Sequence, residues 1–113
     1  MSDVLEMETT VMELIIHAGE ARSSAMQALQ EARKQDWAAA DELLKAAQLA
    51  AREAHKIQTQ LIGADEGCGK VPVNLILMHA QDHLMNAMLC RDLVEELIYL
   101  HREVQELRKN RTQ

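Results

Sequence analysis

The residues with the most chemistry in them stand together in Leu77-Met78-His79-Ala80-Gln81-Asp82-His83-Leu84-Met85-Asn86. Two imidazoles four residues apart, with a carboxylate between them, fall on one side of a helix. With His79 at zero and about 100° per residue, His83 lies at about +40°, Asn86 at about −20° and Asp82 at about −60°. Leu75 and Ile76 stand above this strip and Leu93 and Leu97 below it, so a polar patch interrupts an apolar face. Unpaired polar groups buried in such a face cost about 1–3 kcal/mol each. A sequence that needed only a core would carry Leu or Ala there.

Three chemistries suit the patch. Asp82 can pair with a neighbouring imidazole and fix helix register. His79, His83 and Asp82 can present metal ligands on one face, with a further ligand from another helix or subunit. An imidazole can act as a nucleophile or as an acid–base group, since neutral histidine is competent near pH 7. The spacing alone leaves all three open. His17, His55 and His101 read as surface residues. Cys90 falls about 16 Å down the helix from His79, at 1.5 Å per residue, and reads as a small buried hydrophobe. Cys68 reads as a loop thiol. Met78 and Met85 flank the patch, and adaptable Met side chains suit docking of more than one partner.

The elements that must position these groups are helices. The 113 residues include one Pro, four Gly and no Phe, and are dominated by strong helix formers. The chain reads as one all-α domain, 1–113. Apolar residues recur at three- and four-residue steps through Val4, Met7, Val11, Leu14, Ala18, Ala21, Ala25, Leu29 and Ala32, which predicts a helix over about 3–34. Asp36 is placed to cap a second helix over 37–62, carrying the stripe Leu44, Ala47, Ala51, Ala54, Gln58 and Leu61. The loop Gly63–Lys70 follows, and Pro72 suits the start of a third helix over 73–109. Short links between long helices predict an antiparallel up-down-up three-helix bundle. Its alanine-rich seams bury little area, so further burial is expected from other subunits. The third helix is apolar nearly all round from Leu75 to Leu89 and reads as one-sided after Cys90. Its first half is therefore expected inside an oligomer and its second half on the outside.

A net charge of −6 argues against nucleic-acid binding. The basic run Arg108-Lys109-Asn110-Arg111 reads as a solvated tail. No apolar run approaches the ~18–20 residues of a membrane span. Met1-Ser2-Asp3 shows no signal-peptide pattern, and the two cysteines form no disulfide framework or CxxC pair. A cytoplasmic location is expected, without membrane insertion.

The segment His79-Ala80-Gln81-Asp82-His83-Leu84-Met85 resembles the central motif of the lactose/cellobiose-type enzyme IIA of the bacterial phosphoenolpyruvate-dependent sugar phosphotransferase system. Ile15-Ile16-His17-Ala18-Gly19-Glu20-Ala21-Arg22-Ser23 resembles that family's helix-one signature, and Ala54-His55-Lys56-Ile57-Gln58-Thr59-Gln60-Leu61-Ile62 the end of its second helix. The resemblance covers about Met12 to Leu100 and lies closest to the N,N′-diacetylchitobiose/cellobiose branch. It implies a homotrimer, a nine-helix bundle in all. It implies that His79 accepts phosphate from HPr and passes it to a cysteine of the matching enzyme IIB, for uptake of a β-linked disaccharide. His83 and Gln81 are then candidates to hydrogen-bond the phosphate. Asp82 matches the position where carboxylates of three subunits meet at the threefold axis and can share a structural magnesium ion. No organic cofactor is implied. A metal-binding helical module built on His79, His83 and Asp82, without phosphotransfer, is the alternative.

Overall fold

A computed structural model describes the backbone of residues 2–112 and the side chains of residues 6–111. Met1 and Gln113, the ends of the expected domain, and the side chain of Val4 lie outside the described residues. Three helices account for the chain: α1 (Ser2–Arg33), α2 (Trp37–Asp65) and α3 (Leu75–Thr112), with no strand among the described residues. Pairs across the helices fix their directions. Gln35 Nε2 donates to Gln105 Oε1 at 2.8 Å, and Arg102 grips Asp41, at one end of the rod. Gln58 Nε2 donates to Gln81 Oε1 at 2.6 Å toward the other. α1 and α3 therefore run one way and α2 the other, in a rod 68 × 21 × 19 Å.

Local chemistry explains the ends of each element. At the close of α1, Gln35 adopts φ 66°. Its N–H donates to Ala32 O and that of Asp36 to Glu31 O, both at 3.0 Å, which satisfies two orphan carbonyls. Asp36 then caps α2, its carboxylate accepting from Ala39 N–H at 3.1 Å. α2 runs past the expected stop at Gly63. It ends at Asp65 with Glu66 left-handed at φ 52°, and Glu66 N–H donates back to Gly63 O. Gly67 and Gly69 supply the further positive φ values, 68° and 79°, that the tight loop needs. The third helix starts at Leu75 rather than 73, because Asn74 is its cap: Asn74 Oδ1 accepts from Leu77 N–H at 3.0 Å. Pro72 consequently stands before the cap instead of in the first turn. Positive φ among the described non-glycine residues is confined to Gln35 and Glu66, both in connections.

α1 is the hub, packing on both other helices, while α2 and α3 meet less extensively. Its inward face is Val11, Leu14, Ala18, Ala21, Ala25, Ala28 and Ala32, all buried. A buried methyl contributes about 0.8 kcal/mol, well short of the 1.5–3 kcal/mol of a full Leu. The apolar core consequently forms two modest clusters. One holds Leu14, Ile57, Leu61, Leu77 and Leu84 beside the polar patch; the other holds Val94 and Ile98 against alanines of α1 and α2. Arg102 adds a bidentate pair to Asp41 at 2.8 and 2.9 Å and stacks 5.1 Å over the Trp37 ring, tying the start of α2 to α3.

The second half of α3 departs from expectation. It carries two apolar faces, not one. Val94 and Ile98 are buried within the chain, while Leu93, Leu97, Leu100, Val104 and Leu107 stay open, Leu93 at 54% and Leu107 at 65% exposure. Val94 and Ile98 point about 100° away from Leu93 and Leu97, which is why one stripe splits into two. The open residues are spaced 4, 3, 4, 3, a heptad seam. Upstream, Leu75, His79, Asp82, Asn86 and Leu89 repeat the same steps, all exposed. The open stripe therefore runs the length of α3, and nothing reserves the outside of an assembly for its second half.

Leu84 is fully buried between the helices. Leu84→Ala should cost about 2–5 kcal/mol and lower the thermal midpoint by circular dichroism at matched protein concentration.

Candidate functional site

α3 places the polar strip by burying the residues around it. Leu77, Ala80, Leu84 and Ala87 turn inward against α1 and α2. That fixes the rotation of the helix and leaves His79, Asp82 and Asn86 exposed, with His83 half-buried. No polar side chain is buried among the described residues, so within one chain the patch carries no desolvation cost.

The two imidazoles lie parallel, ring centroids 5.9 Å apart and planes 8° from each other. Their surroundings differ. His83 leans over α1 at Gly19, where a Cβ would stand 3.5 Å from His83 Nε2. His79 sits one turn nearer the open end and is exposed. Of the pair, His79 is the ring another protein can reach, and His83 is the ring held against its own fold. The exposed apolar residues Ile76 and Met78 on α3, and Met12 and Ile16 on α1, lie on the same half of the rod.

Asp82 makes no ion pair or hydrogen bond among the described residues, so the imidazole–carboxylate pairing expected of a purely structural cluster is not formed. It sits in the open stripe between His79 and Asn86. No three His, Cys, Asp or Glu side chains among the described residues are grouped to hold a metal ion. The alternative built on His79, His83 and Asp82 thus lacks a metal centre within one chain. Gln81 does not join the histidines. It stands about 200° round the helix from His79 and accepts from Gln58 on α2, beside Leu61, Ile62 and Met78. The reason is the helical step itself, since a residue two positions on faces the opposite side.

Gly19 and Gln58 are the partners that spacing on α3 does not reveal. A glycine inside a continuous helical pattern is the one local signal for the first. Gln58 falls on the inward stripe of α2, but its pairing with Gln81 depends on how α2 meets α3. His17 is half-buried and its Nδ1 has no hydrogen-bond partner, with Glu20 Oε2 at 3.8 Å. His55 is exposed and His101 half-buried, away from the pair. No helix among the described residues is long and apolar enough to cross a membrane.

Comparison with known proteins agrees with this geometry. The family described as "PTS system, Lactose/Cellobiose specific IIA subunit" matches residues 9–102. The N,N'-diacetylchitobiose-specific EIIA component of the Escherichia coli K12 phosphotransferase system is 50% identical over 99 residues, 88% of this chain and 85% of that protein. The crystal structure of the cellobiose-specific enzyme IIA of Bacillus anthracis aligns with a TM-score of 0.85 at 41% identity, covering 88% of this chain and 92% of that one. The Escherichia coli IIA(Chitobiose) in solution complex with HPr aligns at 0.77 with 48% identity, covering 88% and 96%.

The Gly19 platform gives a direct check. Gly19→Ala meets His83 only at ordinary van der Waals distance and should stabilise by about 0.5–1 kcal/mol through helix propensity. Gly19→Leu should instead push the His83 ring off α1, read as large changes in its ring resonances by NMR while helicity is retained.

Proposed function

The chain belongs to the lactose/cellobiose-specific IIA family of the phosphotransferase system, and on that premise we propose that it is a cytoplasmic phosphoryl carrier with His79 as its nucleophile. HPr is the donor, a cysteine of the cognate enzyme IIB the acceptor, and a β-linked disaccharide such as N,N′-diacetylchitobiose or cellobiose the cargo. The observation that carries the choice of residue is the contrast within the pair: His79 is exposed while His83 is packed over Gly19.

The chemistry is an exchange between nucleophiles. The unprotonated ring nitrogen of His79 attacks the phosphorus of phospho-HPr in line, an N–P bond forms, and the donor's N–P bond breaks with its electron pair returning to the donor imidazole. In the second step the acceptor thiolate attacks, an S–P bond forms, and His79 leaves as a neutral imidazole. His83, one turn on, is placed to donate a hydrogen bond to a phosphate oxygen. The apolar residues Met12, Ile16, Ile76 and Met78 displace water from the docked pair, which protects the phosphoramidate. A small apolar surface in an acidic chain suits brief contacts with successive partners.

The working form is a homotrimer joined along the open stripe of α3, nine helices in all. Support comes from the heptad-spaced apolar residues that one chain leaves uncovered. His79 lies on one edge of that stripe and Gln81 on the flank beyond its other edge. In a threefold assembly one flank of each chain faces the other flank of the next, so Gln81 serves a neighbour's His79 rather than its own. Asp82 lies within the stripe, and three copies bring three carboxylates toward one axis. Like charges so placed repel, and protonation or a cation relieves them. A hard oxygen donor set of that kind suits magnesium, which would hold the subunits together and take no part in transfer.

With phosphoenolpyruvate, enzyme I and HPr, the wild-type protein should gain the mass of one phosphate per chain, and His79→Gln should gain none. His83→Ala should still be phosphorylated, slower by roughly ten- to a hundredfold, the worth of one charge-assisted hydrogen bond. Phosphate uptake by His79→Gln at the wild-type rate would overturn the assignment. Leu93→Lys with Leu97→Lys should convert the trimer to monomer in sedimentation velocity. Magnesium should raise the melting temperature of wild type and leave Asp82→Asn unmoved; equal responses would remove the ion from the account.

A further inference from the structure

Gln58 stands on the inward stripe of α2, one turn from Ala54 and Leu61, which are both buried. It is half-buried, and so is Gln81 on α3. Gln58 Nε2 donates to Gln81 Oε1 at 2.6 Å. Among the described residues this is the one side-chain hydrogen bond joining α2 to α3 in the half of the rod that carries the histidines. Beside the pair opens an apolar cleft of about 460 Å³, walled by Leu61, Ile62, Val71 and Val73. Its one carboxylate is Asp65, whose Oδ1 already accepts from Val71 N–H at 3.0 Å. The cleft therefore supplies no rival for the Gln81 amide.

Two polar side chains on facing apolar stripes need a reason. Fixing the register of the helices is one. A neutral amide pair adds little net stability, however, and two apolar side chains of the same length can do as well. What an apolar pair cannot do is give direction. A carboxamide has two unlike ends, an acceptor oxygen and a donor NH2. Gln58 occupies the oxygen of Gln81, so the NH2 is the end left unused. Phosphoryl oxygens only accept. An amide turned oxygen-first repels them, and one turned NH2-first binds them.

We propose that Gln58 is a positioning residue for phosphoryl transfer: it holds the Gln81 amide with its NH2 outward, toward the phosphoryl group on a neighbouring subunit's His79. The inference rests on the trimeric reading above, in which Gln81 serves a neighbour. A threefold axis parallel to α3 keeps every residue at its own height. Gln81 is two residues past His79, so its level lies about 3 Å from that of the neighbour's ring, at 1.5 Å per residue. An NH2 fixed before docking need not reorient during transfer, and the apolar cleft beside it strengthens its bonds. Gln58 itself touches neither the phosphate nor the nucleophile.

The test measures single-turnover transfer from phospho-HPr to the whole protein. Gln58→Met removes the donor and should slow the maximal rate about three- to tenfold. Gln58→Glu can only accept, which turns the Gln81 oxygen outward, and should slow it at least about tenfold. Gln58→Lys can only donate and should stay within about threefold of wild type. The half-saturating concentration of phospho-HPr, the helicity and the sedimentation should not change. An introduced charge acting through space would affect transfer whether or not Gln81 were there. In a Gln81→Met background, itself at least about tenfold slow, the three Gln58 variants should therefore all transfer at one rate. Additive effects in that background, Gln58→Met at the wild-type rate, or Gln58→Lys as slow as Gln58→Met overturns the proposal and leaves Gln81 its role. Those two variants decide the matter alone should Gln58→Glu not fold. Gln81→Met at the wild-type rate removes Gln81 from the reaction and this proposal with it. His79→Gln, read by mass, tests the nucleophile separately.

Discussion

Two neighbours can cover only one side of a helix, and α3 carries apolar residues on two. Leu77, Leu84, Val94 and Ile98 are buried against α1 and α2, while Leu89, Leu93, Leu97 and Leu100 stay exposed in the chain. The position of the polar strip follows from where those two faces divide. The strip between them holds His83 against α1 and His79 beyond it. A chain that covered both faces by itself would need a fourth helix, and that helix would cover His79. Leaving one face open keeps the imidazole at an edge, reachable by a protein yet walled by apolar side chains.

The alanines of α1 are the counterpart of this arrangement. Ala18, Ala21, Ala25, Ala28 and Ala32 let both partner helices come close to one axis. The apolar area gained is small, and a slender rod with 113 residues has little interior to bury. Stability at the far end leans on Arg102, which serves Asp41 and Trp37 together. Its ion pair is largely solvated and contributes about 0–1 kcal/mol, so the planar stacking on Trp37 carries as much of the fastening as the charge does. α2 and α3 meet less extensively than either meets α1.

Much of this is written in the spacing of residues. The three helices, the cap at Asp36 and the shared face of His79, Asp82 and His83 follow from a 3.6-residue period. The places where the sequence misleads share a physical cause, namely competition between neighbouring signals. Gly63 looks like a stop, but the left-handed residue is Glu66, three positions on. Pro72 looks like a first turn, but Asn74 supplies the cap. The two stripes below Cys90 merge on a coarse reading because Leu93 and Val94, side by side in sequence, point to different sides of the helix, one open and one buried. Gln58 with Gln81, and His83 over Gly19, depend on how one helix meets another, and no single-helix period encodes that.

His79 rides on an ordinary stretch of α-helix. Among the described residues the left-handed positions all lie in the connections, and none falls within the strip itself. No backbone strain lies beneath the His79 ring among the described residues, and the helix there is pinned by Leu77, Ala80 and Leu84. On the proposed reading of His79 as the phosphoryl acceptor, the loaded and unloaded forms would differ by little more than the phosphate itself, and the equilibrium with each partner would follow the intrinsic group-transfer potentials of imidazole and thiolate.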